Sequence, residues 1–192
     1  MFFIEDKCLL DEKEKEYIDE LITNNCFPYF YQSTAVNDDH YPFLCHTLKF
    51  ADKATHHSSE TEKFIGILDK FCKKHEIDYD TVYRVVINLT FNNGYKQSAI
   101  HCDHKFEHKQ LIIYLNEPKD KKSQTVIVDK DKEIKVVPEK YKAICFGKES
   151  HYHYTPRFGE RIVAVFTFGT ELLTVKKPNK ENNYGSSRIY IS

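Results

Sequence analysis

His101 and Asp103 stand two positions apart in the run Ile100-His101-Cys102-Asp103-His104, at the end of a segment that reads as extended. On a strand, residues two apart point to the same side, so the imidazole and the carboxylate converge while Cys102 faces away. One nitrogen donor and one oxygen donor on a common face suit a borderline divalent metal. A third donor from a distant strand would complete the facial arrangement that leaves open positions on a non-haem Fe(II) ion. The run Phe146-Gly147-Lys148-Glu149-Ser150-His151-Tyr152-His153 offers that donor. His151 and His153 have the same parity, so both could face inward on an extended segment. Pro156, Gly159 and Arg161 then lead into the apolar run Ile162 to Phe168. A guanidinium at the start of an inner strand needs a bidentate anion to justify its burial, and a small dicarboxylate is such an anion.

The elements that must position these groups are mostly strands. Runs rich in β-branched and aromatic residues span Tyr83 to Phe91, Gln110 to Leu115, Thr125 to Val128, Ile134 to Val137, Ala143 to Phe146 and Arg161 to Phe168. Turn-forming clusters such as Asn92-Asn93-Gly94 and Asn116-Glu117-Pro118 separate them. Before them come a short strand-like start, Met1 to Ile4, and two helices. The first runs from Asp11 to Asn24, with Tyr17, Ile18, Leu21 and Ile22 at helical spacing and a capping-box start at Asp11 and Glu14. The second is expected from a Ser58 or Ser59 cap to about His75, with Phe64, Ile67, Leu68 and Phe71 on one stripe. Between them, Asn25 to Lys53 is aromatic and interrupted by Pro28 and Pro42, which predicts loops and short strands. Two helices followed by strands without helical crossovers predict a mainly β (α+β) chain, an antiparallel sandwich or jelly roll with two N-terminal packing helices.

The 192 residues fit one domain with a sizeable core. Its expected parts are residues 1–82 with the helices and a variable segment, 83–175 as the jelly-roll core, and 176–192 as a polar tail. Lys and Arg total 28 against 29 Asp and Glu, so no global basic field recruits nucleic acid. The Lys-rich stretches 119–122, 130–135 and 176–180 read as solvated loops and a tail, because acidic residues or prolines interleave in them. No apolar run approaches the ~20 residues of a membrane span. The six cysteines are scattered without a C-x-x-C pair and no signal-like segment precedes them, so reduced thiols in a cytoplasmic setting are expected. Asn88-Leu89-Thr90 reads as a chance glycosylation match.

An isolated H-x-D is ordinarily surface decoration; the combination is not. The segment Val85 to Phe168 resembles the double-stranded β-helix core of Fe(II)/2-oxoglutarate-dependent oxygenases, and within them the prolyl-4-hydroxylase-like branch with its small phage and bacterial relatives. The residues that carry the likeness are His101 and Asp103 as the H-x-D pair, Tyr114-Leu115-Asn116 as the strand that follows, a distal histidine within His151 to His153, and Arg161. The resemblance implies a hydroxylase that uses Fe(II), 2-oxoglutarate and O2, with ascorbate as a possible support. It implies Arg161 as partner of the co-substrate's distal carboxylate and gives Tyr114 a share in holding it. His151 is ten positions before Arg161 and His153 eight, and the family's usual spacing favours His151 as third ligand, with His153 as the alternative. The departures are a Ser123-Gln124-Thr125 turn, Lys140 or Tyr141 in place of a usual glycine, Val163 two beyond the arginine, and Phe91 ten before the H-x-D.

His104 and His108 flank the pair and read as substrate-side residues, since a closed four-histidine site would leave no vacancy. Packing is the expected role of His40 and His46, among Tyr29, Tyr31 and Tyr41, and His56-His57 is assigned none. The resemblance implies as substrate a protein or peptide side chain such as proline, or a small molecule such as a free amino acid, and leaves its identity open. Two rivals remain open: a cupin-type metal enzyme that does not use 2-oxoglutarate, and a non-catalytic jelly-roll binding module. The sequence is silent on oligomeric state.

Overall fold

The computed structural model describes residues 1–36, 39–50, 58–130 and 132–170. The sequence readings that fall on His56-His57, on the Lys-rich 176–180 and on the polar tail lie outside the described residues.

Ten strands and two helices are present among them: β1 (Phe3–Asp6), α1 (Glu12–Thr23), β2 (Phe30–Gln32), β3 (Phe43–Phe50), α2 (Thr61–Lys74), β4 (Thr81–Thr90), β5 (Lys109–Tyr114), β6 (Thr125–Asp129), β7 (Lys132–Val136), β8 (Ala143–Phe146), β9 (Ser150–His153) and β10 (Arg161–Gly169). They form a seven-stranded sheet in the order β1-β8-β5-β10-β4-β3-β2 and a three-stranded sheet in the order β7-β6-β9, with every pairing antiparallel. Isolated bridges Gln97↔Tyr154 and His101↔His151 extend the smaller sheet by one irregular edge. Two facing sheets of this kind are a jelly roll.

Alternation along the central strands sorts the side chains onto two faces. One set, Val85 and Ile87 with Leu111, Ile113, Ala164 and Phe166, joins the core under the helices. The intervening set, Val86 with Ile112, Tyr114, Val163 and Val165, packs toward the smaller sheet with Ile127 and Val136. The site therefore lies between the sheets, and the helices lie behind it. Helix α2 buries Phe64, Ile67, Leu68 and Phe71 on one stripe, and the ring of Phe64 meets that of Phe166 on β10 at 6.2 Å. Each such side chain contributes about 1.5–3 kcal/mol by leaving water.

Helix α1 starts as its sequence predicts: the Glu14 amide donates to the Asp11 carboxylate at 3.0 Å, and the Asp11 amide to Glu14 at 2.8 Å. Helix α2 does not. Its N-cap is Glu60, with no side-chain cap, and the Ser58 hydroxyl, which accepts from the Glu60 amide at 3.3 Å, is engaged by His46 Nε2 at 2.9 Å. His46 also donates from Nδ1 to the Pro28 carbonyl, so it ties the N-terminal segment together. A second correction concerns the stretch from Asn25 to Lys53, expected as loops and short strands. It contains β3, eight residues long, which pairs with β4 and is interrupted by a bulge between Thr47 and Lys49. The aromatic and β-branched residues of that stretch support a long strand once a partner is present.

The backbone of Tyr141 sits at φ +66°, the left-handed region that favours glycine, at the hairpin where the likeness expects one.

Replacing Phe64 by Ala should cost about 3–5 kcal/mol, the usual range for a fully buried phenylalanine. Denaturant unfolding checks it; a change below about 1 kcal/mol would place Phe64 outside the structural core.

Candidate metal and anion site

His101, Asp103 and His151 come together so that one ligand atom from each lies within 4.8 Å of the others. Geometry differs from the expected strand pleat. Residues 102 and 103 leave the extended path after a single bridge, so Asp103 arrives by a bend. The bridge places the histidines: His101 and His151 exchange backbone hydrogen bonds of 3.0 and 2.8 Å across the edge of the smaller sheet, and their rings lie 4.4 Å apart.

Protonation is set by the surroundings. His101 Nδ1 donates to the Ala99 carbonyl at 3.0 Å, which leaves Nε2 with its lone pair. Burial pushes His151 down to about 3, reinforced by His101 and opposed by Asp103, so its imidazole is neutral at neutral pH. Burial would push Asp103 up, but the guanidinium of Arg84, with His151 and His101, overcomes it and holds the carboxyl at about 2. Arg84 Nη2 donates to Asp103 Oδ1 at 2.6 Å, whereas Oδ2 is buried without a hydrogen-bond partner and faces His151 Nε2 at 3.9 Å. A neutral imidazole, an ionised carboxylate and an unused oxygen aimed into a cluster are what a divalent cation requires.

His153 has a different environment. Its Nδ1 meets the Ser98 hydroxyl at 3.2 Å and its Nε2 meets the Tyr41 hydroxyl at 3.2 Å. Both histidines of β9 face the space between the sheets, as their parity predicts, but His151 alone of the pair belongs to the cluster.

Arg161 opens β10 and is 3% exposed. Its Nη2 donates to Thr125 Oγ1 at 2.7 Å, its guanidinium lies 5.3 Å from the Tyr114 ring centroid, and its Nε is buried without a partner. Among the described residues, Asp103 is the one carboxylate lining the cavity of about 330 Å³ that Arg161 shares with the cluster, and it is ion-paired with Arg84. An arginine buried this way is half satisfied, and a bidentate anion would complete it. Tyr114 itself does not line that cavity; its hydroxyl meets Thr125 at 2.6 Å and so bears on Arg161 through the threonine.

His104 and His108 do not line the cavity either. His104 stacks on Phe106, with ring centroids 4.7 Å apart, and its Nε2 meets Thr167 Oγ1 at 2.9 Å; His108 is 6% exposed and donates from Nδ1 to the Phe106 carbonyl. The sequence reading missed Arg84, Gln110 and Tyr41, which all line the cavity. Alternation along β4 and β5 puts Arg84 and Gln110 on the inner face with Val86 and Ile112, a signal present in the sequence once the face of each strand is known.

The loop before β10 is clipped by Asp120, which accepts from the Arg157 amide at 3.0 Å, from Arg157 Nε at 2.9 Å and from Nη2 at 3.1 Å. Gly159, at φ +71°, completes the turn into Arg161, and a Cβ there would meet the Lys119 side chain at 3.0 Å. The Arg157 hydrogen bonds hold the Asp120 carboxyl well below the usual carboxylate range. A depressed folded-state value means the stabilisation is complete above the unfolded pKa of about 4 and is lost as pH falls through the lower folded value. Asp120→Asn should therefore melt below the wild type at pH 7, with the gap closing at strongly acid pH. Thermal melts across the pH series check this, and a gap independent of pH would contradict it.

No family model matches the sequence, and no curated protein does. Solved structures do match the fold. One from Burkholderia pseudomallei, described as an oxidoreductase of the 2OG-Fe(II) oxygenase family, aligns at TM-score 0.70 and 16% identity over 87% of this chain and 84% of its own. A Trichoplax adhaerens prolyl hydroxylase in complex with a hypoxia-inducible-factor peptide aligns at 0.64 and 12%, over 87% and 83%. A Pseudomonas putida prolyl-4-hydroxylase aligns at 0.61 and 11%, over 88% and 92%. With its two antiparallel sheets, two helices packed behind the larger one and a His-Asp-His cluster between them, this chain has the jelly-roll fold of the 2OG-Fe(II) oxygenase structures.

Proposed function

We propose that this chain is an Fe(II)- and 2-oxoglutarate-dependent oxygenase. The observation that carries the reading is the coexistence, in one cavity, of the His101-Asp103-His151 cluster and a buried Arg161 with an unpartnered Nε. A metal site alone would fit a cupin-type enzyme; a metal site facing a half-satisfied buried guanidinium fits a co-substrate that is an anion at one end and a chelator at the other. His101 Nε2, Asp103 Oδ2 and His151 Nε2, the last once released from the Gln110 amide 3.2 Å away, would hold the ion. When bound, iron and 2-oxoglutarate supply oxidation of a substrate C–H bond by O2, with loss of CO2 and formation of succinate.

The chain's own residues bind, orient and exclude. Arg161, fixed by Thr125 and by the tyrosine ring beneath it, would take the distal carboxylate. Arg84 occupies one oxygen of Asp103, so a single oxygen is left for the metal. Tyr41, 1% exposed and bonded to Thr155 at 2.8 Å, closes the cavity beside His153. Exclusion of water by such a wall strengthens every charge interaction inside.

Anaerobic Fe(II) titration and succinate formation from 2-oxoglutarate test the reading; a folded chain that binds neither would end it. Asp103→Ala should weaken metal binding on the order of a hundredfold or more, since even outer partners of ligands are worth 10–100-fold. Arg161→Ala should keep the metal and raise the 2-oxoglutarate requirement by roughly 30-fold or more, the scale of a lost buried charge pair. His151→Ala should lose metal where His153→Ala keeps it; unchanged metal affinity in the His151 variant would show that the third ligand lies elsewhere.

A further inference from the structure

Arg161 is one of two guanidinium groups in the cavity. Arg84 also lines it, and among the described residues the fixed charges there are these two arginines against one carboxylate, Asp103. A divalent cation and a dicarboxylate co-substrate cancel one another, so the loaded site would still hold one unneutralised positive charge. With Asp103 shared between Arg84 and the metal and the distal carboxylate taken by Arg161, Arg84, whose side chain is 27% exposed, is the guanidinium left short of a full counter-charge. Its Nη2 is spent on Asp103, while its Nε is buried and has no hydrogen-bond partner.

Arg84 stands on a built rung. Thr167 of β10 pairs with Arg84 on one side and Gln110 on the other, so the three side chains rise from the same face of the larger sheet. Arg84 reaches Asp103, and the Gln110 amide reaches His151 Nε2 at 3.2 Å, so both flanks of the rung meet the metal cluster. Gln110 is 1% exposed, and its Oε1 is buried without a partner. His104 covers the middle of the rung through Thr167. Unpaired buried donors and acceptors cost free energy until something satisfies them. The rung offers a guanidinium N–H from β4 and an amide oxygen from β5, on either side of β10 and next to the metal cluster, well along β10 from Arg161.

We propose that Arg84, with Gln110, binds an anionic group of the oxidised substrate, and that the substrate is a small free carboxylic acid, such as an amino acid. This rests on the oxygenase reading above. A guanidinium pairs best with a carboxylate, and the Gln110 oxygen suits an ammonium or hydroxyl donor beside it. The cavity volume of about 330 Å³ is at the low end for small-molecule pockets, room for the co-substrate and one small companion. A neutral peptide side chain would leave the Arg84 Nε unpaired.

The test uses the full chain loaded with Zn(II) and 2-oxoglutarate, a complex that does not turn over. A panel of free L-amino acids and small monocarboxylic acids, each beside its carboxamide, is titrated by ligand-observed NMR. At least one acid should bind about tenfold or more tighter than its amide, the scale of one charge-assisted hydrogen bond. Arg84→Gln should bring that ratio close to one, and Arg84→Lys should keep most of it; Zn(II) loading of each variant establishes that the cluster is intact. Binding of acids no tighter than amides, no binding by any acid, or an unchanged ratio in Arg84→Gln overturns the proposal while leaving the oxygenase reading in place. Failure of the wild-type chain to load Zn(II) and 2-oxoglutarate removes the oxygenase reading and this proposal with it.

Discussion

Burying an arginine without its own carboxylate costs several kcal/mol, and Arg161 is buried in that way at the start of the central strand β10. The structure around it reduces this cost without removing it. Thr125 accepts one N–H, the Tyr114 ring lies close to the guanidinium, and the Asp120 clip with Gly159 fixes the chain that delivers the residue. What remains is an unsatisfied guanidinium in a cavity that also holds three metal-type ligands. The two sheets and Tyr41 wall that polar space.

The metal cluster shares this economy of parts. His101 and His151 are neighbours in a backbone bridge, so the distance between two ligands is set by peptide geometry rather than by side-chain choice. Asp103 is steered by Arg84, whose own position is fixed by its place on β4 between β3 and β10. His151 is thus held by a strand, and the connection that carries His101 and Asp103 is pinned to it by the bridge and by Arg84, which is how a site is kept preorganised.

The strand content, both helices and the H-x-D, distal histidine and arginine positions were legible because each leaves a local mark: period two, period 3.6, or residue type at fixed spacing. The choice between His151 and His153 was not settled by pattern, since parity is equal and only the partners differ: Ser98 and Tyr41 for His153, Asp103 and Gln110 for His151. Arg84 and Gln110 escaped notice because alternation marks them only once the inner face of each strand is known, and that face, like the place of Tyr41, is set by long-range pairing of β4, β5 and the N-terminal segment. Strand β3 was underestimated for the same reason, and the start of α2 because Ser58 found a tertiary partner in His46.

The alternation that divides β10 between two environments has a consequence for how such a chain can change. Its odd-numbered residues Arg161, Val163 and Val165 serve the cavity, while Ile162, Ala164 and Phe166 serve the helix-side core. Inserting or deleting one residue in that strand would exchange the two sets, moving the guanidinium toward the helices and an aliphatic group toward the metal. Substitution within the strand is therefore tolerable where length change is not. A change of length would have to fall in the connections, and among them the stretch leading to Tyr41 reaches the cavity directly. A lineage of such chains could alter what it accepts there while the metal and anion geometry stayed fixed.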